Sequence, residues 1–251
     1  MSQVENRKVA LVTGAASGVG LAVARQLAET GFDLCLVDVD ANGLEQAEKQ
    51  VVELGAKALV QVVDLAVPDA CTTVVSATVK AFARLDALCN VAAVMLPGHS
   101  TEVSVTAFQT TLAVNLSAPF FLAQAAIPHL LEVDGAIVNV ASAVGVTAQA
   151  YNAAYCASKA GLIHMTKSLA MEYISQSIRI NAVAPGGMMT PLAMNMAALQ
   201  GADPKIMGRT TPLRGLVEVK DVAEMVVLLA TDAGRGYHGA CVVIDKGMCA
   251  G

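Results

Sequence analysis

The stretch from Lys8 to Gly31 reads K-V-A-L-V-T-G-A-A-S-G-V-G-L-A-V-A-R-Q-L-A-E-T-G. Val9 to Val12 is an apolar run of strand length, and Gly14, Gly18 and Gly20 then fall within seven residues. Leu21, Ala24, Leu27 and Ala28 come next at helical spacing, and Gly31 stands where a glycine closes a helix. A strand, a glycine turn and a helix start form a phosphate cradle. Without Cβ atoms the backbone can approach a pyrophosphate, and the helix's free N–H groups and dipole favour its charge. Ser17 and Val19 sit within that turn. The spacing is G-x-x-x-G-x-G, and such a triplet alone fits an ordinary turn equally well. The residues at the ends of the later strands carry the decision.

Leu34 to Asp38 is a second apolar strand, and Asp38 lies 24 residues after Gly14. An acidic residue at about this distance accepts the ribose hydroxyls of an adenosine. It would repel a 2′-phosphate, and no Lys or Arg stands at residues 15–17 or 39–42 to offset it, so NAD is expected over NADP. The alternative use of Asp38 is to cap the next helix. Further strands are expected at Lys57–Val63, Asp86–Val91, Gly135–Val140, Ile178–Val183 and Ala240–Ile244. Helices are expected at Asn42–Leu54, from Pro68, at Val103–Leu131, from Asn152 to about Ser175, and at Asp221–Thr231. This unbroken β-α alternation implies an α/β fold: one doubly wound parallel sheet with helices on both faces, in a single domain over residues 1–251. Gly14, Asp38, Asp64, Asn90, Ser142 and Pro185 each stand at a strand's carboxyl end, the edge at which open α/β sheets bind ligands.

Apolar residues make up 55% of the 251 and charged ones 15%, enough for a large core. The net charge of −5 argues against a nucleic-acid partner, which needs a basic face. No uninterrupted apolar run reaches the roughly 18 residues of a membrane span, and M-S-Q-V-E-N-R-K lacks a signal peptide's apolar segment. A cytoplasmic protein acting on a small molecule, away from membranes, is expected. The six cysteines form no C-x-x-C and the four histidines no ligand spacing, so they read as reduced thiols and no metal is expected.

Tyr155 and Lys159 are spaced i, i+4 and share a helix face. A phenol's ordinary pKa of about 10 is too high for proton transfer near neutrality, and an adjacent ammonium lowers it. Lys159 is therefore expected to depress Tyr155 into the range of a general acid/base, with the charged nicotinamide ring adding to the effect. Alone, Y-x-x-x-K fits a surface pair; beside a cofactor cradle and Ser142 it fits catalysis. Asn115 lies inside a long helix, and Pro119 lacks the N–H its carbonyl would use, so a kink with a free carbonyl is expected there, able to hold a water that links Lys159 to solvent.

T-G-A-A-S-G-V-G (Thr13 to Gly20), Asn115, Ser142, Y-C-A-S-K (Tyr155 to Lys159) and P-G-G-M-M-T (Pro185 to Thr190) together resemble the short-chain dehydrogenase/reductase family in its single-domain form, over nearly the whole chain. The resemblance implies a seven-stranded Rossmann sheet, NAD(P)-dependent hydride transfer, and a catalytic set of Asn115, Ser142, Tyr155 and Lys159. It places Asp64 and Leu65 by the adenine, Asn90 and Ala92 along the cofactor, and Pro185, Gly186, Met188 and Thr190 at its far end. Lys159 would also bind the nicotinamide ribose, and a homotetramer or homodimer is implied.

Two positions depart from the family pattern: N-V-A-A (Asn90 to Ala93) replaces N-N-A-G, and D-K-G (Asp245 to Gly247) replaces D-G-G. The enoyl-reductase variant has its tyrosine seven residues before the lysine, where this chain has Asn152, which disfavours enoyl reduction. Val144, Gln149, Tyr151, Leu96 and the methionine-rich segment of about 188–209, with Met189 and Met194, are expected at the substrate. They are mostly apolar and none is basic, so a neutral, largely apolar secondary alcohol or ketone is expected. The competing reading is an NAD-binding sensor or scaffold with a silent site. An epimerase or dehydratase would need a larger C-terminal substrate domain.

Overall fold

The computed structural model describes residues 7–67, 69–197, 199–212 and 214–250, without the side chains of residues 196 and 197. Strands β1 (Lys8–Thr13), β2 (Phe32–Asp38), β3 (Ala58–Val62), β4 (Ala87–Asn90), β5 (Ala136–Val140), β6 (Arg179–Pro185) and β7 (Cys241–Ile244) form one seven-stranded sheet. Its order is β3-β2-β1-β4-β5-β6-β7 and every pairing is parallel. Between them run α1 (Gly18–Glu29), α2 (Ala41–Glu53), α3 (Ala70–Phe82), α4 (Val105–Leu112), α5 (Ala118–Leu131), α6 (Ala153–Glu172), α7 (Pro191–Ala197), α8 (Pro204–Gly208) and α9 (Val219–Ala230). The helix start expected at Pro68 lies outside the described residues; α3 is described from Ala70. The methionine-rich segment of about 188–209 holds two short helices, each opened by a proline that is tolerated in a first turn.

The strands are apolar on both faces because helices cover both. Ala10, Val12, Leu34 and Leu36 pack with Val23 and Leu27 of α1, Leu44 of α2 and Val226 of α9. Their neighbours Val9, Leu11, Cys35 and Val37 point the other way, onto Val74 of α3, Leu122 and Ile127 of α5 and Leu169 of α6. The chain reverses direction across the sheet between β1 and β4, the switch point where such sheets open a crevice. Thr13 ties that point together, its Oγ1 accepting from the N–H groups of Val91 and Ala92, both at 3.0 Å.

The kink expected at Asn115 is a π-helical turn, Ala113–Ser117, between α4 and α5. Pro119 cannot donate to the Asn115 carbonyl, and the ladder slips by one residue, with Ala118 N–H bonding Ala113 O. Taken as one, Val105–Leu131 is long and apolar enough by length and composition to cross a bilayer, with mean hydropathy 1.3, although polar residues interrupt its apolar run. Half of its apolar window is buried inside the protein, where α5 lies on α3 and β4.

Candidate active site

A cavity of about 700 Å³ opens along the carboxyl ends of β1, β4, β5 and β6. One end is backbone. Gly14, Ser17, Gly18, Val19 and Gly20 line it where α1 begins. A Cβ on Gly20 would lie 2.0 Å from the Gly14 carbonyl oxygen, so only glycine lets the helix start this close to the strand. Gly14 has φ +68°, and a Cβ there would press on the Ala92 backbone at 3.0 Å. Ser17 makes no side-chain cap and the first turn of α1 holds no acidic residue, so the N–H groups there are left for an anion. Asp38 lines the same end. Its carboxylate accepts from Ala16 N at 3.1 Å, Val39 N at 2.8 Å and Asp40 N at 3.1 Å, which fixes its direction. The helix-capping role open to Asp38 belongs to Asp40, which accepts from the N–H groups of Asn42 and Gly43.

Helix α6 brings Tyr155 and Lys159 into the middle of the cavity wall, opposite the end of β5 that carries Ser142. Tyr155 is 8% exposed and Lys159 2%. Lys159 Nζ donates to the Val140 carbonyl at 2.8 Å and lies 5.7 Å from the centre of the Tyr155 ring. Burial decides the protonation of both. It pushes the Tyr155 phenol up to about 12, against a hydrogen bond from Ser142 that draws it down. It pulls the Lys159 amine down to about 7. The expectation that Lys159 depresses Tyr155 is therefore corrected for the protein alone. Loss of water outweighs the Ser142 hydrogen bond at the phenol, and an amine brought down to about 7 is only partly charged near neutrality.

Asn115 stands behind this wall. Its Oδ1 accepts from Val94 N at 2.8 Å, and its Nδ2 donates to Val94 O at 2.9 Å and Ser158 Oγ at 3.2 Å. Ser158 in turn donates to the Tyr155 carbonyl at 2.7 Å. The side chain is thus committed to joining the π turn, the segment after β4 and α6. The water-holding role expected of Asn115 rests on its main-chain carbonyl alone. Asn90 also stands back: its buried Nδ2 bonds Asn139 Oδ1 at 2.8 Å, tying β4 to β5. Asp64 and Leu65 do not line the cavity. Asp64 accepts from Ala66 N in an exposed turn, and Leu65 is buried in the core cluster on the α3 and α5 side of the sheet.

Ala92, Pro185, Gly186, Met188 and Thr190 line the cavity, and so do Val144, Gln149, Leu96 and Met189. Tyr151 and Met194 do not. Tyr151 has φ +65°, its ring meets His99 edge-on at 5.1 Å, and its hydroxyl accepts from Asp203 N at 3.0 Å, so it ties down the segment before α8. Met194 is on the outer side of α7, 59% exposed, while Leu192 and Asn195 face inward. Met95, Thr210, Leu216 and Met248 also line the cavity and escape sequence reasoning. Met248 is placed by a turn in which the Asp245 carboxylate accepts from the N–H groups of Gly247 and Cys249. Aspartate at 245 is the only sequence signal for it.

Residues 14–249 match the family model described as enoyl-(acyl carrier protein) reductase. The chain is 33% identical over 248 residues to 2,5-dichloro-2,5-cyclohexadiene-1,4-diol dehydrogenase LinX of Sphingobium indicum, covering 97% of each chain. It is 34% identical over 254 residues to cis-4-hydroxycyclohexanecarboxylate dehydrogenase of Sinomonas cyclohexanicum, covering all of both. Its fold superposes, with a TM-score of 0.91 and 26% identity over the whole of both chains, on a short-chain dehydrogenase from Mycobacterium paratuberculosis bound to NAD.

Proposed function

The chain belongs to the short-chain dehydrogenase/reductase family and is an alcohol/ketone oxidoreductase by kinship, and from that premise we propose that it is an NAD-dependent dehydrogenase of a neutral, largely apolar secondary alcohol. The observation that carries the reading is the buried Tyr155–Lys159 pair, set in the wall of one cavity whose other end is an uncapped helix start facing a fixed Asp38. NAD fits those residues. The N–H groups of α1 and the close approach at Gly14 and Gly20 suit its pyrophosphate, and Asp38 suits an unphosphorylated ribose. When bound, its nicotinamide supplies the hydride acceptor.

The protein's own part is the proton. Tyr155 Oη takes the hydroxyl proton of the alcohol, or returns it to the ketone oxygen in reverse. Ser142 Oγ, beside that phenol, holds the substrate oxygen. Lys159 has further N–H donors beyond the one given to Val140, and these suit a sugar hydroxyl. Because burial favours the neutral phenol, the proton-donating form prevails at neutral pH, and alcohol oxidation should quicken as pH rises toward the phenol's range. The two dehydrogenases compared above are named for ring alcohols, which supports a cyclic secondary alcohol. Asn152 supplies no phenol at the enoyl-reductase position and is instead buried against Gln149. Exposed Phe108, Phe120 and Phe121 on α4 and α5 support a homotetramer or homodimer, and six unpaired cysteines a cytoplasmic setting.

The test is NADH production from a panel of cyclic secondary alcohols, run in parallel with NADP. Turnover with NAD and little with NADP is expected. NAD binding without turnover would favour the sensor reading, and reduction of an enoyl thioester without alcohol oxidation would favour the enoyl-reductase one.

A further inference from the structure

We propose that Gln149 sets substrate choice by binding a second, uncharged oxygen of the substrate, which makes the substrate a diol or hydroxy ketone. This rests on the dehydrogenase reading and deepens it.

The substrate end of the cavity is apolar around Tyr155: Met95 and Val144 pack directly on it, with Leu192 and Met248 beside them. Gln149 and Thr210 line the same cavity. A carboxamide in such surroundings is unfavourable unless its bonds are made. Here its direction is fixed. Gln149 Oε1 accepts from Asn152 Nδ2 at 2.8 Å, and Asn152 is 2% exposed. Gln149 Nε2 donates to Thr210 Oγ1 at 3.2 Å. The turn itself is clamped to α6, since Gln149 N donates to the sulfur of Cys156 at 3.3 Å, one residue after Tyr155.

An amide nitrogen has two N–H donors, and Thr210 takes one. Thr210 gives its own hydroxyl proton to Met207 O at 3.2 Å, so it faces Gln149 as an acceptor. What Gln149 offers is therefore an N–H, in a fixed orientation, on the same turn that leads into the Tyr155 helix. Its complement is an oxygen lone pair on the substrate, separate from the oxygen held by Ser142 and Tyr155. That oxygen is uncharged, because Lys159 is the single basic side chain lining the cavity among the described residues, and it stands at the reacting end.

The experiment compares kcat/KM for cyclohexanol, cyclohexane-1,2-diol and cyclohexane-1,4-diol in the wild type, Gln149→Leu and Gln149→Glu. Gln149→Glu keeps an acceptor for Asn152 but removes the donor. The wild type should favour one of the diols over cyclohexanol by about tenfold, and in both variants the ratio of kcat/KM for that diol to kcat/KM for cyclohexanol should fall about tenfold. Equal losses on diol and cyclohexanol, or cyclohexanol oxidation without diol preference in the wild type, would overturn this inference alone. Absence of NADH from all three alcohols would overturn the dehydrogenase reading and this inference with it.

Discussion

The two ends of the cavity are built by different means. The cofactor end is made of main chain: three glycines, a helix start and one carboxylate held by three N–H groups. The substrate end is made of side chains drawn from the segment after β4, the turn before α6, α7, the stretch before α9 and the C-terminal turn. Backbone sites tolerate almost no change, because what matters is where no atom may stand. Side-chain sites tolerate exchange, because a different residue gives a different wall without altering the frame.

The largest expected effect is at the cofactor end. Gly20→Ala puts a methyl 2.0 Å from the Gly14 oxygen. It should cost about 3 kcal/mol, lower Tm by roughly 6–12 °C and abolish NAD binding. A Tm and an NAD affinity equal to wild type would break the contrast. Next comes Asp38→Ala, which should weaken NAD about 10- to 100-fold through loss of hydrogen bonds to a charged acceptor and narrow the gap to NADP. Unchanged NAD and NADP affinities, read by titration calorimetry, would refute the ribose role. At the substrate end, Met248→Ala should leave Tm within about 3 °C, since the side chain borders a cavity rather than filling a core, and change KM for ring alcohols several-fold. A Tm loss as large as that of Gly20→Ala would erase the distinction.

The buried pair between the two ends predicts a pH signature. Burial pulls the Lys159 amine down to about 7 in the folded chain, against about 10.4 unfolded. Between those values the unfolded chain holds the extra proton, so stability rises with pH from about 7 to about 10. Tyr155, raised to about 12, acts oppositely above pH of about 10, where the unfolded chain has lost its proton and the folded one has not. The buried thiols, whose pKa values burial raises, oppose this rise from about pH 8 upward. The Lys159 contribution is therefore read as a difference: the denaturant midpoint of the cofactor-free wild type should gain on that of Lys159→Met between about pH 7 and about pH 9. The same slope in both proteins would contradict the burial of a weakly basic amine.

The contrast also explains what could be read from the chain. Glycine at 14, 18 and 20 and an acid at 38 leave a local pattern, because the constraint lies within one strand-turn-helix-strand unit. The strands were legible because both faces are covered and their apolar runs are continuous. Met95, Thr210 and Met248 left no pattern, because they meet only after folding, from segments far apart in the chain. Tyr151 misled because a left-handed backbone angle, invisible in its residue type, turns it to His99. Lys159 misled in a second way. Spacing placed it next to Tyr155, but spacing says nothing of water, and loss of water governs both groups. Asp64, Leu65 and Asn90 stand at strand ends, yet their side chains serve a turn, the core and the sheet.

The most direct test of the account is Tyr155→Phe, measured as turnover of a ring alcohol together with NAD affinity by calorimetry. Removal of one buried oxygen from the cavity wall should lower kcat by about 10³-fold and leave the NAD dissociation constant within about threefold of wild type. A variant that keeps kcat within about tenfold of wild type would show that the proton leaves the alcohol by another route.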